Sequence, residues 1–407
     1  MWDESYLWGL IAYRALKKLS LDFSLVTSGD IKQGALEGRR LLYVPGGWAS
    51  NKLEALGEDG ARQIRRFVEG GGSYIGVCGG AGLATSEGIG LLDIKRRPLD
   101  KRVPSLSGKV RVKMGSPHPF WDGIGGRDKN KKQNPVFHIW WPSQFKPEGP
   151  SIKVVASFGQ ATPEAFSSDL NVGCISDWGV LESEYKINLD PGKMLDEPLA
   201  LEGAYGAGRV FLTLIHLDTP GDPNGEKALQ NIWKHLGGEK TERVKSPETP
   251  HKPAGGLFPP SLSKGLLAPV EELFDTGAKN FLWFRDGWTV RWRRGVRGLE
   301  YFTLHELVKE LAQRVKNPAP PGVRREELEA LIDGLRVFAQ KAGRLLLLER
   351  LALQRGHSIT FSKASDPHMC SLREELFASA KSHGGEFKKL LGQADGILYK
   401  YLRPEWS

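Results

Sequence analysis

The chain has 407 residues, a formal net charge of +9 and three cysteines, Cys78, Cys174 and Cys370. This length predicts more than one domain, and so few thiols argue against a disulfide framework and favour a reducing compartment. No apolar run reaches the roughly 18 residues of a membrane span, and the first residues lack the pattern of a signal peptide. We therefore expect a folded cytoplasmic protein that does not enter a membrane.

The first hundred residues alternate helix-like and strand-like segments. Apolar residues at helical spacing are followed by short apolar runs that end in glycine or proline. This rhythm predicts an α/β fold, a doubly wound and mostly parallel sheet with helices on both faces. The predicted elements are a helix over 7–19, strands over 20–27, 39–47 and 73–78, and a helix over 57–72 that ends in three glycines.

The rest of the chain suggests an insertion, a linker and a second domain. Strand-like and aromatic segments over about 98–200 interrupt the first pattern, which returns with a strand over 209–215 and a closing helix. Charge, proline and glycine then predict a linker, and a helical domain follows a hairpin at Asp286-Gly287. The predicted boundaries are 1–238, 239–280 and 281–407, with helices near 303–316, 324–355 and 370–402.

The segment GGGSYIGVCGGAGLAT, residues 70–85, places Cys78 between an apolar strand and a helix-compatible run. A sharp strand-to-helix turn lifts the middle side chain out of the sheet, at the edge where open α/β sheets bind ligands. The N-terminus of the following helix can lower a thiol pKa and hold an oxyanion. Cys78 is therefore a candidate nucleophile, although a buried cysteine in a tight packing turn has the same sequence pattern.

Two further segments supply candidate partners for this thiol. His216 ends the strand over 209–215, and Asp218 follows two residues later, where an acid can orient an imidazole base. Asp218 is equally consistent with an ordinary turn residue. The Pro45-Gly46-Gly47 turn ends another strand, so the N–H groups of Gly46 and Gly47 could form an oxyanion hole with that of Gly79.

Taken together, YVPGGW, FVEGGGSYIGVCGGAGLAT and GAGRVFLTLIHLD resemble the class I glutamine amidotransferase-like superfamily, in the branch named for the N-terminal domain of biotin–protein ligases. The resemblance covers residues 1–238. It implies a flavodoxin-like fold, Cys78 as nucleophile, His216 as base and Asp218 as third member, with an oxyanion hole at the glycine turn and Gly79. It implies hydrolysis or transfer at a C–N bond through a thioester.

Three departures from this pattern leave two functions open. The elbow continues Gly79-Gly80-Ala81, with no side chain to hold a substrate amide. The third member is aspartate where glutamate is usual, and Cys78 and His216 are 216 − 78 = 138 positions apart. The chain is either a cysteine-dependent amidase or hydrolase, or a degenerate binding module whose helical domain is the candidate surface for a protein partner.

The remaining motifs give weaker indications of function. Tryptophans Trp48, Trp140 and Trp141 are candidate walls of a small-molecule pocket, although most tryptophans are core residues. The arginine-rich stretch 284–298 is interleaved with tryptophan, but the sequence lacks a long basic stripe, so we do not expect nucleic-acid binding. We expect no cofactor and no metal, because the dinucleotide fingerprint is incomplete. The candidate ligands His357, His368, Cys370 and His383 are irregularly spaced.

Overall fold

The structure is a computed structural model in which the chain forms two compact units, residues 1–244 and 245–407. No helix among the described residues is both long and apolar enough to cross a bilayer. The predicted boundary at Gly238 and the three predicted domain ranges stay predictions. The residues described are 1–125, 134–238, 256–360, 364, 366–378 and 382–403.

The helices of the first unit flank a sheet. The longest begins just after the Pro45-Gly46-Gly47 turn and is kinked at Gly57, whose φ is 56°; beyond the kink it buries Ala61, Ile64 and Val68, which lie at helical spacing on one face. A very short one begins directly after Cys78. The helices are α1 Leu7–Lys18, α2 Ser28–Lys32, α3 Ala49–Glu69, α4 Gly79–Leu83, α5 Trp178–Tyr185 and α6 Pro223–Gly237.

The strands of the first unit divide into a parallel part and an antiparallel part. The parallel strands are almost continuously apolar, as strands buried on both faces must be. The strands are β1 Leu41–Val44, β2 Ser73–Val77, β3 Ile94–Arg96, β4 Leu106–Met114, β5 Val136–Trp140, β6 Phe145–Pro147, β7 Lys153–Ala161, β8 Phe166–Ser167, β9 Leu170–Asn171, β10 Pro198–Tyr205 and β11 Gly208–Thr213.

The parallel part positions the candidate site. Strand β2 lies between β1 and β11 and pairs parallel with both, with Ser73 opposite Leu41 on one side and Arg209 on the other. All residues of β2 are buried. The three carboxyl ends therefore meet at one edge of the sheet, as the strand–helix rhythm predicts. The predicted α/β class, a sheet flanked by helices, is confirmed.

The predicted insertion over about 98–200 extends this sheet. Strand β10 pairs antiparallel with β11 and with β7, β7 pairs antiparallel with β4, and β4 pairs antiparallel with β5 and β8. The inserted residues thus continue the same sheet and share its core. Phe137, Phe145 and Phe158 are among the fully buried side chains of this part.

One predicted strand, residues 20–27, is wrong. The segment has no strand assignment; its side chains Leu21, Phe23 and Val26 pack partly buried against the core. The backbone N–H of Trp2 donates to the carbonyl of Val26 (2.7 Å). Alternating apolar residues are consistent with a strand, but they also suit a segment that covers the core without a strand partner.

The second unit is a helical bundle with a hairpin, and two expectations need correction here. Helix α7 occupies much of the predicted linker, with Pro260 in its first turn, where a missing N–H costs nothing; residues 239–255 lie outside the described part. The predicted helix over 370–402 is two helices, separated after Ala378, whose φ is 52°. The elements are α7 Pro260–Lys279, β12 Trp283–Asp286, β13 Thr289–Trp292, α8 Gly298–Arg314, α9 Arg325–Gln354, α10 Pro367–Phe377 and α11 Gly385–Leu402.

The arginine-rich hairpin is partly buried. Gly287, with φ of 60°, forms the predicted tight turn between β12 and β13. Arg291 is buried and its Nε lies 2.7 Å from a carboxylate oxygen of Asp286. Arg297 is also buried, 3.0 Å from Glu300. These two arginines therefore belong to the fold of the second unit rather than to a solvated basic face.

Candidate active site

Cys78 occupies a strained turn between β2 and α4. Its φ of 50° and ψ of −103° lie in a region that non-glycine residues rarely adopt. Its N–H donates to the carbonyl of Thr213 on β11 (2.8 Å), and its carbonyl accepts from the N–H of Gly82 within α4 (2.9 Å). Bonds on both sides therefore hold the strained conformation, as the elbow interpretation requires.

The glycines around Cys78 allow the backbone of the neighbouring turn to approach closely. A Cβ placed on Gly79 would lie 1.9 Å from the carbonyl oxygen of Gly47, and one on Gly80 would lie 2.0 Å from that of Val44. A Cβ on Gly76 would lie 2.6 Å from the carbonyl oxygen of Gly80. No residue with a side chain fits these positions unless the backbone moves, so the glycine density comes from packing of the elbow against the end of β1.

The Pro45-Gly46-Gly47 turn therefore lies against the elbow. Gly47 has a φ of 117°, which favours glycine. A Cβ on Gly46 would lie 3.1 Å from Cε1 of His216, so the same turn also contacts the imidazole. Among the described residues, no acceptor is bonded to the N–H of Gly46, Gly47 or Gly79. The structure brings these three predicted backbone donors to one place.

His216 and Asp218 form a buried pair beyond the end of β11. Nδ1 of His216 lies 3.3 Å from Oδ1 of Asp218, and both side chains are inaccessible to solvent. The other carboxylate oxygen of Asp218 accepts from the hydroxyl of Tyr43 on β1 (3.3 Å). Within the described part of the chain, neither ring nitrogen of His216 has an aligned hydrogen-bond partner. The contact with Asp218 is therefore mainly electrostatic.

The charge state of His216 follows from this environment. Burial by itself favours the neutral imidazole, but the polar contacts with Asp218 and Cys78 raise the pKa of His216 to about 9. Cys78 is thus near enough to influence the imidazole. At neutral pH the structure favours an imidazolium at this position, and such a neighbour stabilises a thiolate by its charge.

Three tryptophans lie near His216 and Cys78. The ring of Trp8, on α1, lies 4.5 Å from that of His216 between centroids, and Trp141 lies 6.2 Å from Trp8. Sγ of Cys78 lies 3.7 Å from the main-chain oxygen of Trp140, close enough for a weak S–H···O bond. Strand β5 of the insertion therefore reaches the thiol through its backbone.

The three predicted pocket tryptophans differ in position. Trp48 is 42% exposed and precedes α3. Trp140 is buried, and its indole N–H donates to Thr219 (3.1 Å), so its side chain belongs to the core while its carbonyl faces the thiol. Trp141 is half-buried beside Trp8 and has a φ of 52°. Of the three indole rings, that of Trp141 contacts the aromatic residue that covers His216.

The region around the cysteine is recognisable from its sequence. Residues 26–88 match the family model described as biotin–protein ligase, N terminal. This biotin–protein ligase N-terminal match contains the Pro45-Gly46-Gly47 turn and Cys78, and it ends before His216 and Asp218. It confirms the resemblance over that segment. No curated protein matches the chain.

Solved structures similar to this chain cover about half of it. A GMP synthase-like protein of Thermoplasma acidophilum is 14% identical, with 56% of this chain and 88% of that chain covered and a TM-score of 0.35. A cytoplasmic protein of Salmonella typhimurium is 11% identical, covering 56% and 85%, with a TM-score of 0.33. A β-galactosidase from Bacillus circulans sp. alkalophilus is 11% identical, covering 48% and 21%, with a TM-score of 0.25. At such identities a likeness concerns the fold alone.

Two residues beside this site are not identifiable from the sequence pattern. Trp8 lies on α1, upstream of the biotin–protein ligase N-terminal match, among apolar residues whose helical spacing indicates only a buried face. Tyr43 lies within that match, in a strand whose other residues are all apolar. A polar hydroxyl inside a buried strand is the one available signal for Tyr43, because such a group needs a partner.

A second cluster of titratable side chains lies elsewhere in the first unit. The ligand atoms of His118, Glu202 and His235 lie within 4.8 Å of one another. However, Nδ1 of His118 accepts from the backbone N–H of Phe120 (3.0 Å), so Nε2 carries the proton and donates to Glu202 (2.7 Å). The guanidinium of Arg209 binds the other oxygen of Glu202 (2.8 Å).

This cluster is an ion-pair network rather than a metal site. Burial alone would raise the pKa of Glu202, but the contacts with His118 and Arg209 lower it to about 2. The carboxylate is thus ionised and already neutralised by a cation, and one imidazole offers a proton where a metal needs a lone pair. The donor set does not suit a metal ion.

Proposed function

We propose that the protein is a cysteine-dependent hydrolase or amidase that cleaves a C–N bond of a small molecule through a thioester at Cys78. The observation that carries the proposal is the meeting of four elements at one sheet edge. These are the strained Cys78 elbow, the His216–Asp218 pair, the Pro45-Gly46-Gly47 turn and the first N–H groups of α4. This is the combination of nucleophile, base, orienting acid and oxyanion donors that acyl transfer requires.

In the first half of the proposed reaction, the thiolate of Cys78 attacks the carbonyl carbon of the substrate and forms a C–S bond. The negative charge passes to the carbonyl oxygen, which the N–H groups of Gly46, Gly47 and Gly79 stabilise. The tetrahedral intermediate then expels the amine, which takes a proton from Nε2 of His216. A raised imidazole pKa suits this step, because the proton donor is present at neutral pH.

In the second half, the neutral imidazole of His216 takes a proton from a water molecule that attacks the thioester. The C–S bond breaks, the acid is released, and the thiolate–imidazolium pair is restored. Asp218 holds the imidazole through Nδ1 in both halves and is itself held by Tyr43. The balance of the reaction is amide plus water to acid plus amine, and it needs no cofactor.

The alternative is a degenerate module that binds a ligand without consuming it. Two observations favour it: the elbow turn Gly79-Gly80-Ala81 offers no side chain to hold an amide, and Sγ of Cys78 is within bonding distance of the carbonyl of Trp140. A thiol bonded in this way is a poor nucleophile. In such a module the thiol of Cys78 would have ordinary reactivity, and the bound ligand would be released chemically unchanged.

The deciding experiment is the alkylation rate of Cys78 by iodoacetamide from about pH 4 to about pH 9, read by peptide mass spectrometry. Cys174 and Cys370 are exposed, whereas Cys78 is half-buried, so they are stringent internal controls. The enzyme proposal expects Cys78 to react faster than both below about pH 8 and to lose this advantage in His216→Ala. A rate at Cys78 no greater than at the controls would overturn it in favour of the binding module. A cytoplasmic location stays a prediction of the sequence.

A further inference from the structure

The second unit carries an exposed apolar groove beside the C-terminal half of α9. Phe281, Leu347 and Leu351 are 75%, 48% and 46% exposed. With Lys279, Arg350 and Gln354 they line a groove of about 390 Å³. Single exposed apolar residues are normal, but a contiguous concave set of large ones marks an interaction site.

Rigid elements hold these side chains at the surface. Phe281 directly follows α7 with a φ of 57°, and the next residue, Leu282, is fully buried and bonded to the carbonyl of Gly277 (3.0 Å). The buried neighbour fixes the chain, so the phenyl ring of Phe281 stays outside. Leu347 and Leu351 lie one helical turn apart on α9, whose Leu345 and Leu346 face the core. The groove therefore exists before any partner binds.

The charges around the groove have one sign. Arg344 and Arg350 lie on the same half of α9, Arg355 directly follows that helix, and none of the three has an ion-pair partner among the described residues. The single acid of the stretch 342–355 is Glu349, which is buried and bound to Arg373 (2.7 Å). Lys279 adds a further exposed cation on the other side, with Asp275 at 4.0 Å. An occupant must therefore bring both apolar surface and negative charge.

We propose that this groove binds an acidic amphipathic helix of a partner protein. Apolar residues at helical spacing would enter between Phe281 and the two leucines, and flanking carboxylates would reach the unpaired arginines. The groove is concave, which suits a helix better than a flat lipid surface. A second copy of this chain is a poor occupant, because the net charge of +9 opposes self-association. The proposal is independent of the chemistry at Cys78.

The test uses the full chain and a fluorescent synthetic peptide of about 18 residues, long enough for five helical turns. The peptide has leucines along one helical face and glutamates on both flanks, and a matched peptide carries lysines in place of the glutamates. We expect the acidic peptide to bind at least about tenfold more tightly in fluorescence anisotropy, and more weakly as salt rises. Two groove variants should each bind the acidic peptide at least about tenfold more weakly than the unchanged chain. These are the double variant Leu347→Ser, Leu351→Ser and the triple variant Arg344→Glu, Arg350→Glu, Arg355→Glu.

The matched control is Val337→Ser, because Val337 is 50% exposed on the same helix but outside the groove. It should bind the acidic peptide as the unchanged chain does, and circular dichroism checks that each variant is folded. Equal binding of both peptides, or unchanged binding by folded groove variants, would overturn the proposal. So would binding to phosphatidylserine vesicles without peptide binding, which would assign the surface to a membrane. Self-association that the groove variants abolish, without peptide binding, would assign it to a second copy.

Discussion

Gly79 and Gly47 are in direct backbone contact: a Cβ on Gly79 would lie 1.9 Å from the carbonyl oxygen of Gly47. This contact joins the first residue of α4 to the turn that ends β1. It places the N–H groups of both residues beside Cys78, and it excludes every side chain from position 79.

The first prediction concerns this contact. Gly79→Ala should destabilise the chain by about 1–3 kcal/mol or more, because backbone cannot yield as a flexible side chain does. The matched control is Gly82→Ala in the same helix, where a Cβ would lie 3.4 Å from that of Ala49, an ordinary contact. Urea unfolding of both variants measures the difference. Equal midpoints for Gly79→Ala and Gly82→Ala would show that the turn and the elbow are not in contact.

A second prediction follows from the buried pair. Asp218→Asn removes a negative charge that raises the pKa of His216, so the imidazole midpoint should fall from about 9 by at least about one pH unit. NMR titration of isotope-labelled histidine in the full chain measures this, with His216→Ala for assignment. His235, whose pKa is lowered chiefly by burial, lies in the other cluster and should titrate unchanged. If the His216 midpoint is the same in both proteins, Asp218 does not control the imidazole.

The raised pKa of His216 also makes the free energy of unfolding depend on pH, in a direction that can be stated. The folded chain holds this proton more tightly than the unfolded chain, whose imidazole has the ordinary value of 6.5. The stabilising contribution is therefore complete below about pH 6.5 and is lost as pH rises through about 9. In Asp218→Asn this loss should shift to lower pH, which urea unfolding between pH 6 and 10 would show.

The third prediction tests the role of Tyr43 as a positioning residue. Tyr43→Phe removes the hydroxyl that donates to Asp218 and leaves a buried carboxylate oxygen unpartnered, at a cost of about 1.5–3 kcal/mol. Tyr205→Phe is the matched control, because the hydroxyl of this half-buried tyrosine has no hydrogen bond among the described residues. The alkylation profile of Cys78 should also change in Tyr43→Phe. A loss of stability with an unaltered profile would restrict Tyr43 to a structural role.

The fourth prediction concerns Glu349 in the second unit. Burial raises its pKa from 4.5 to about 7, against the opposing effect of Arg373. Because the folded state binds this proton more tightly, stability from this group is greatest below about pH 4.5 and falls as pH rises through 7. Glu349→Gln should flatten the dependence of unfolding free energy on pH between 5 and 8, whatever its absolute stability.

The control for this slope is Glu327→Gln, on the same helix, where the carboxylate pairs with Arg324 and Lys400 and with no histidine. Burial opposes ionisation, but the contacts with Lys400 and Arg324 lower the pKa of Glu327 below its ordinary 4.5, so it titrates below the tested range in both states. Its replacement should leave the slope between pH 5 and 8 unaltered. If the unfolding free energy of Glu349→Gln depends on pH as steeply as that of the unchanged chain, Glu349 is already ionised at pH 5 and the prediction is wrong.

The sequence predicts the core of the candidate site because strand ends and glycines are local signals. The positions of Cys78, His216 and the glycine turn follow from the rule that parallel strands end at one edge. The positions of Trp8 and Tyr43 beside the site cannot be predicted in this way, because apolar spacing indicates that a side chain is buried but not which residue it contacts. Residues 20–27 have strand-like alternation but no partner strand, and α7 has linker-like composition. In both segments tertiary packing determines the secondary structure and overrides the preference of the local sequence.

Strand β2 lies between β1 and β11, so the turn, the thiol and the imidazole belong to three adjacent strands. The separation of 138 positions between Cys78 and His216 is therefore no measure of their distance in space. Two ladders of backbone hydrogen bonds fix the arrangement, whatever length of chain departs after β2 and returns before β11. Relatives could exchange that intervening chain, and with it the surroundings of the thiol, while the turn, the thiol and the imidazole keep their places.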